Sequence, residues 1–156
     1  MHRHFPTERH LFAFITCGDP DLETTAEAVS AVKAGADLIE LGIPFSDPTA
    51  EGPVIQAASI RALKGGVTTD KIFDFVRGLR EEVTVPMAFM TYANVVFSYG
   101  SERFISTCSE IGIDGLILPN EMIAAKYAST VGRTYHLPAV TISYDPCCVF
   151  EKLCRV

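Results

Sequence analysis

The sequence lacks several features that would place it in a specialised class of protein. No apolar run reaches the ~18 residues that a membrane-spanning helix needs. No cluster of lysine and arginine occurs and the formal net charge is -6, which argues against a nucleic acid as partner. The N-terminus has no apolar stretch typical of a secretory signal, and there are no repeats or low-complexity tracts. What remains is 156 residues, 48% apolar and 21% charged, a composition typical of one globular domain.

The number of cysteines is odd, and the sequence shows no secretory signal. The five cysteines are Cys17, Cys108, Cys147, Cys148 and Cys154. We interpret them as free thiols of a reducing compartment and expect the protein to be cytoplasmic. The three C-terminal cysteines and the distant His136 match the spacing of zinc ligands poorly. We therefore expect no bound metal.

The most informative segment covers residues 38–56 and reads LIELGIPFSDPTAEGPVIQ. Residues 37–43 begin with Asp37 and are otherwise apolar except for Glu40, which is typical of a strand covered on both faces. Three prolines then stop regular strand pairing and predict a loop that carries Asp47 and Glu51. Burying Glu40 unpaired costs on the order of several kcal/mol. It is either an acid with a chemical role, as at strand ends of barrels, or a structural acid paired with an arginine or lysine.

Strands and helices alternate along the chain. Strands are predicted at residues 11–16, 37–43, 83–91 and 113–118, with a fifth at 137–144. Helices are predicted from Leu22, over residues 54–63, from about Thr69 and after Ser101, with a further one at 121–131. This order predicts right-handed crossovers and a parallel sheet. Polar residues that follow strands would then meet at the carboxyl edge, where barrels and doubly wound sheets bind ligands. The pattern fits both architectures.

Local signals predict where the helices begin and end. Asp21, Thr69 and Ser101 are predicted as N-caps. Gly35 is predicted to close the first helix, and residues 92–94 are predicted as a turn. We expect one domain over residues 1–156, with residues 1–10 as a loose lead-in and 121–156 as a divergent tail.

Four stretches resemble the alpha subunit of tryptophan synthase. They are FITCGDP at 14–20, LIELGIPFSDPTAEGP at 38–53, MTYAN at 90–94 and GLILP at 115–119. The resemblance runs from about residue 12 to residue 118. It implies an α/β fold of the parallel (β/α) TIM-barrel type, incomplete here, because such barrels need about 250 residues for eight βα units. This chain provides about four to five of them.

The resemblance also implies an activity. The family cleaves indole-3-glycerol phosphate to indole and glyceraldehyde 3-phosphate by a retro-aldol step in tryptophan biosynthesis. The indole passes through a tunnel to a beta subunit, the expected partner, whose pyridoxal phosphate makes tryptophan. No cofactor is therefore expected on this chain. By the same resemblance Glu40 is the proton-shuttling acid. Glu51, an aspartate in some members, accepts a hydrogen bond from the indole N–H.

Other positions take their expected roles from the family in the same way. Phe14, Tyr92 and Ile117 match residues that line the indole pocket, although such residues could equally be barrel core. The residues expected to face the beta subunit are Pro44, Phe45, Asp47 and Asn94. Asp47 could instead form an Asx-turn before Pro48.

The chain departs from the family after the fourth predicted strand. The family usually has an acidic residue and a further proline there, whereas this chain has Asn120 followed by Glu121. No glycine-rich phosphate cradle is recognisable in residues 1–156, so we expect little lyase activity from these residues alone. The alternative is a catalytically silent half-barrel that only binds a beta subunit. An unrelated barrel enzyme acting on a phosphorylated sugar is a third possibility.

Overall fold

Five parallel strands and five helices make up the part of the chain that the computed structural model describes, which is residues 10–48, 51–118 and 139–141. The strands are β1 (Phe12–Thr16), β2 (Leu38–Gly42), β3 (Met87–Met90), β4 (Gly115–Leu118) and β5 (Ala139–Thr141). The helices are α1 (Leu22–Val32), α2 (Pro53–Lys64), α3 (Thr69–Leu79), α4 (Ala93–Tyr99) and α5 (Ser101–Glu110).

The strands pair in chain order, β1-β2-β3-β4-β5, and every pair is parallel. A doubly wound sheet reverses its strand order at the ligand-binding crevice, whereas a barrel adds each new strand beside the last. The unbroken order is therefore that of an incomplete (β/α) barrel, and the predicted fold class is confirmed. Within the described ranges, no helix has the length and apolar character needed to cross a membrane.

The two faces of the sheet carry separate hydrophobic clusters. Ile39 and Leu41 on β2 and Phe89 on β3 belong to a large cluster with the buried faces of the helices. Leu38 and Ala88 form a second, smaller cluster that also contains Ile117 and the partly buried Met90. Side chains alternate between faces along a strand, so the two clusters identify an outer, helix-covered face and an inner face.

A charged network braces the amino-terminal edge of the sheet. Asp114 precedes β4, and its Oδ2 accepts the Met87 N–H at 2.9 Å and an Arg80 Nη2 proton at 2.8 Å. Arg80 Nη1 also donates to the Val85 carbonyl at 2.8 Å. Gly112 ends the preceding helix with a φ of 81°, in the left-handed region that glycine adopts freely. The network joins β3 to β4 at the edge opposite the proline loop.

Several predicted boundaries differ from the structure. Residues 92–94, predicted as a turn, contain the start of α4, and β3 begins only at Met87. The Thr68 side chain, not that of Thr69, accepts the capping hydrogen bond of α3. Asp21 caps α1 as predicted, but that helix ends at Val32 without Gly35. Ser101 is the first residue of α5 and does not cap it.

The predicted helix at 121–131 and nearly all of the predicted lead-in and tail fall outside the described residues. The predicted fifth strand is present as β5. Its three residues pair with Leu116, Ile117 and Leu118 of β4.

Candidate active site

Glu40 lies on the inner face of the sheet, where the alternation of β2 places it. Leu38 belongs to the inner cluster, whereas Ile39 and Leu41 belong to the outer one, so the residue between the last two points inward. The register sets Glu40 beside Phe14 of β1 and Ala88 of β3. An acid is thus built into an otherwise apolar face.

The carboxyl group of Glu40 is half-buried and has no ionic partner among the described residues. All four arginines there form ion pairs with other acids; these arginines are Arg61, Arg77, Arg80 and Arg103. Burial removes water from Glu40 and raises the pKa of its carboxyl group above the ordinary value. Within the described part of the chain, the structural pairing considered for this residue therefore finds no support.

A cleft opens at the carboxyl edge next to this face. It spans about 290 Å³ of empty space, part of which is open to solvent, and the proline loop, α2 and the ends of β1, β2 and β3 surround it. Its lining includes two predicted pocket residues, Phe14 and Tyr92, and the predicted catalytic residue Glu51. Glu40 is not among the lining residues. It lies two residues before Gly42, which does line the cleft. A strand rises about 3.3 Å per residue, so Glu40 is close to the cleft along β2.

Glu51 and Tyr92, which are 41 residues apart in the sequence, meet in this cleft. The Tyr92 hydroxyl donates a hydrogen bond to Oε2 of Glu51. The Tyr92 ring stacks at a tilt on Phe45, with 5.1 Å between the centroids. Gln56 Nε2 donates to the main-chain oxygen of Glu51 at 2.9 Å. The proline loop therefore presents its acid to the end of β3 through side-chain contacts.

Glycine is required on the inner face where the Phe14 ring crosses β2. A Cβ atom on Gly42 would lie 2.6 Å from Cζ of that ring, much closer than real Cβ atoms approach. The absence of a side chain at residue 42 leaves room for the end of the aromatic ring beside the cleft. This pair forms part of the wall that the cleft shares with the inner face.

The remaining predicted residues do not line the cleft, and they differ in burial. Ile117 is fully buried in the inner cluster and does not line the cleft. Pro44 is buried, whereas Asp47 is exposed and accepts a hydrogen bond from the Ser46 hydroxyl at 2.5 Å. Asn94 is exposed on α4. Asp47 and Asn94 thus lie on the surface near the carboxyl edge, whereas Pro44 does not.

Thr91 is a cleft residue that the sequence reasoning missed. It is only 2% exposed, and its hydroxyl has no hydrogen-bond partner in the described structure. The sequence does not distinguish a buried threonine whose hydroxyl lacks a hydrogen bond from one whose hydroxyl forms them. Thr25, 1% exposed, is such a case: its hydroxyl accepts the Gly18 N–H at 3.0 Å and donates to the Asp21 carbonyl at 2.8 Å.

Replacing Thr91 by valine is expected to raise the free energy of unfolding by about 1 kcal/mol, because it removes a buried hydroxyl that forms no hydrogen bond. Thr25→Val is the matched control and should lower it by about 1–3 kcal/mol, because both hydrogen bonds of that hydroxyl are lost. Urea unfolding of the two variants measures both changes. A loss of stability in Thr91→Val equal to that in Thr25→Val would contradict the prediction.

The raised pKa of Glu40 predicts a particular dependence of stability on pH. A carboxyl group whose pKa is higher in the folded state favours folding most below its unfolded pKa, about 4.3. That contribution is lost as the pH rises through the raised folded pKa. Relative to Glu40→Gln, the unsubstituted chain should therefore lose stability between pH 4 and pH 8. Denaturant titrations at these two pH values measure the difference, and an unchanged or opposite difference would contradict it.

Comparisons with known proteins agree with this geometry. The sequence profile described as tryptophan synthase alpha chain matches residues 3–131. The tryptophan synthase alpha chain of Alkaliphilus metalliredigens is 57% identical over 114 residues, which cover 72% of this chain and 43% of that protein. That of Lacticaseibacillus casei is 48% identical over 117 residues, 74% of this chain and 44% of that protein.

Solved structures show the same likeness. A variant of the tryptophan synthase alpha-subunit of Pyrococcus furiosus superposes with a TM-score of 0.83 at 33% identity, covering 88% of this chain and 57% of that one. A protein of Aquifex aeolicus superposes with a TM-score of 0.80 at 38% identity, covering 85% of this chain and 53% of that one. The chain thus spans less than half the length of the curated relatives it matches.

Proposed function

Because the chain belongs to the tryptophan synthase alpha chain family, we propose that it serves tryptophan biosynthesis as a lyase that cleaves indole-3-glycerol phosphate to indole and glyceraldehyde 3-phosphate. The observation that carries this proposal is the half-buried Glu40 on the inner face, with a raised pKa and no ionic partner in the described ranges. A carboxyl group on the inner face whose pKa is raised by burial is suited to protonating a bound indole.

In the proposed reaction Glu40 acts first as an acid and then as a base. Its proton goes to C3 of the indole ring, and positive charge develops on the ring nitrogen. The Glu40 carboxylate then takes the proton of the glycerol hydroxyl. The bond between C3 and the hydroxyl-bearing carbon breaks, its electron pair returns to the ring, and the hydroxyl oxygen becomes the aldehyde carbonyl. A raised pKa favours the protonated form that the first step needs.

Glu51 is proposed to stabilise the charged ring. Its carboxylate lies in the cleft, next to the inner face that carries Glu40. An anionic acceptor near the ring N–H becomes a stronger partner as positive charge grows there, so it stabilises the transition state more than the substrate. Phe14 and Tyr92 are proposed to contact the ring, Phe14 from the position that Gly42 leaves open. Ile117 is proposed to support them from the inner cluster.

A beta subunit is the proposed partner, and its pyridoxal phosphate would act on the released indole. No cofactor is proposed on this chain. The proposed contact surface is the carboxyl edge around the proline loop, with Pro44, Phe45, Asp47 and Asn94. Asp47 and Asn94 are exposed there, as a docking surface requires. The cytoplasm, where the substrate would be made, is the proposed location.

Indole release from indole-3-glycerol phosphate tests the proposed activity. The chain should be assayed alone, with a beta subunit, and with the C-terminal half of the Alkaliphilus metalliredigens alpha chain supplied in trans. We expect release at least in the complemented mixture, and none when the indole-glycerol-phosphate substrate is omitted. The absence of release from every mixture would contradict the proposal. Binding to a beta subunit without release would favour the silent half-barrel.

A further inference from the structure

We infer that Tyr92 is a positioning residue, which holds the Glu51 carboxylate in the orientation that accepts the N–H of an indole ring. This inference rests on the proposed function, because it assumes that the cleft receives an indole. It goes further in assigning the Tyr92 hydroxyl a task distinct from contact with the ligand. That task is to fix the orientation of the Glu51 carboxylate.

Glu51 is held at two points. Gln56 on α2 donates to its main-chain oxygen, which fixes the backbone of the proline loop at that residue. The Tyr92 hydroxyl donates to Oε2 at the other end of the side chain. A glutamate side chain has several rotatable bonds and would otherwise adopt many orientations in a cleft of this size. The two contacts together restrict the orientations that the carboxylate can adopt.

Tyr92 is itself rigid enough to act as a support. It is 3% exposed and stands at the N-cap position of α4, two residues after the end of β3. Its ring stacks on Phe45, which belongs to the proline loop that carries Glu51. The hydroxyl is therefore placed by a strand end, a helix start and a ring contact. Support of this kind is what a polar group needs to hold a fixed geometry.

The hydrogen bond leaves the carboxylate able to bind a ligand. An ionised carboxylate has two oxygens and accepts several hydrogen bonds, so the bond to Oε2 leaves Oε1 for an N–H in the cleft. A hydrogen bond from a phenol to a carboxylate is also among the stronger kinds. Removing the Tyr92 hydroxyl should thus free the side chain and weaken recognition of a ring N–H. Contact with the apolar parts of the ring should be unaffected.

A second tyrosine provides a matched control. The Tyr99 hydroxyl donates to Oδ1 of Asp70 at 2.5 Å, so this pair has the same chemistry as the pair in the cleft. Neither Tyr99 nor Asp70 lines the cleft. Tyr99→Phe removes the same atom from the same kind of hydrogen bond elsewhere in the fold. Any effect specific to Tyr92→Phe then arises from the cleft.

Two ring probes distinguish positioning from simple contact. Indole carries the N–H, and indene has nearly the same shape without it. The sequence contains no tryptophan, so indole fluorescence reports binding without a tryptophan background from the chain. Indene affinity follows from displacement of indole. The readout is the ratio of the two affinities for the unsubstituted chain, Tyr92→Phe and Tyr99→Phe.

We expect Tyr92→Phe to lower the affinity for indole about tenfold and leave that for indene unchanged, while Tyr99→Phe changes neither. Glu51→Asp, which shortens the side chain by one methylene and withdraws it from Tyr92, should lower the same ratio. This second variant decides the matter if Tyr92→Phe fails to fold. An equal loss for both probes, no loss for either, or an unsubstituted chain that does not prefer indole would overturn the inference. Failure of the indole-release assay with these ratios intact would count only against the proposed lyase reaction.

Discussion

Replacing Glu40 by glutamine is expected to lower the rate of indole release in the complemented mixture about 100- to 10,000-fold, the range that a general acid–base group contributes. Glutamine has nearly the same shape and would keep the contacts of Glu40 with its neighbours on the inner face. It carries no proton that it can give to a ring carbon. The rate should therefore fall without loss of the fold, which circular dichroism would check.

Two further variants show whether that loss belongs to the proposed role. Glu81→Gln removes an exposed carboxylate after α3 and should leave the rate unchanged. Glu51→Ala should lower the rate less than Glu40→Gln, because the proposed role of Glu51 is to stabilise charge while Glu40 moves the proton. Retention of most of the rate by Glu40→Gln would end the assignment. A larger loss at Glu51 would reverse the two roles.

The second large effect is expected on stability, at Phe89. Truncation to alanine should lower the free energy of unfolding by about 3–5 kcal/mol, as removal of a buried aromatic side chain does. Phe89 is fully buried in the outer cluster, and its ring centroid lies 5.8 Å from that of Phe73 on α3. The cavity left behind would lie between the sheet and its helices. Denaturant unfolding of the variant measures the loss.

Met90, the next residue of β3, is the matched control. It is only partly buried and packs against the inner cluster, which is much smaller than the outer one. Met90→Ala should therefore destabilise the chain clearly less than Phe89→Ala. Because Met90 also lines the cleft, its loss should be visible in indole affinity. Equal destabilisation by the two variants would mean that the inner face contributes to folding as much as the outer face.

The order of strands and helices was predictable because apolar residues recur along the sequence at the spacings typical of each. Residues such as Ile72, Phe73 and Val76 recur at helical spacing and are buried in α3. The α4 helix was not predicted from the sequence. It is short and contains two adjacent valines, and it ends at Tyr99, just before Gly100, whose φ is 95°. Valine disfavours helices and glycine interrupts them, so local propensity pointed away from a structure that tertiary contacts allow.

The acids of the site were predictable only in part. The prolines around residues 44–53 indicated a loop with an acid, and the strand pattern indicated that Glu40 was unusual. The contact between Tyr92 and Glu51 was not predictable, since it joins residues 41 positions apart through side-chain orientation. The unpaired hydroxyl of Thr91 was equally hidden. Sequence patterns report faces and boundaries, but the partner of an individual polar atom depends on packing.

The brace formed by Arg80, Asp114 and Met87 has a consequence for where local opening of the sheet begins. Local opening begins where contacts are fewest, and this network adds charged hydrogen bonds at the amino-terminal edge. At the carboxyl edge the cleft is surrounded by loop and helix side chains. We therefore expect β3 and β4 to stay in register at the amino-terminal edge when the chain opens locally.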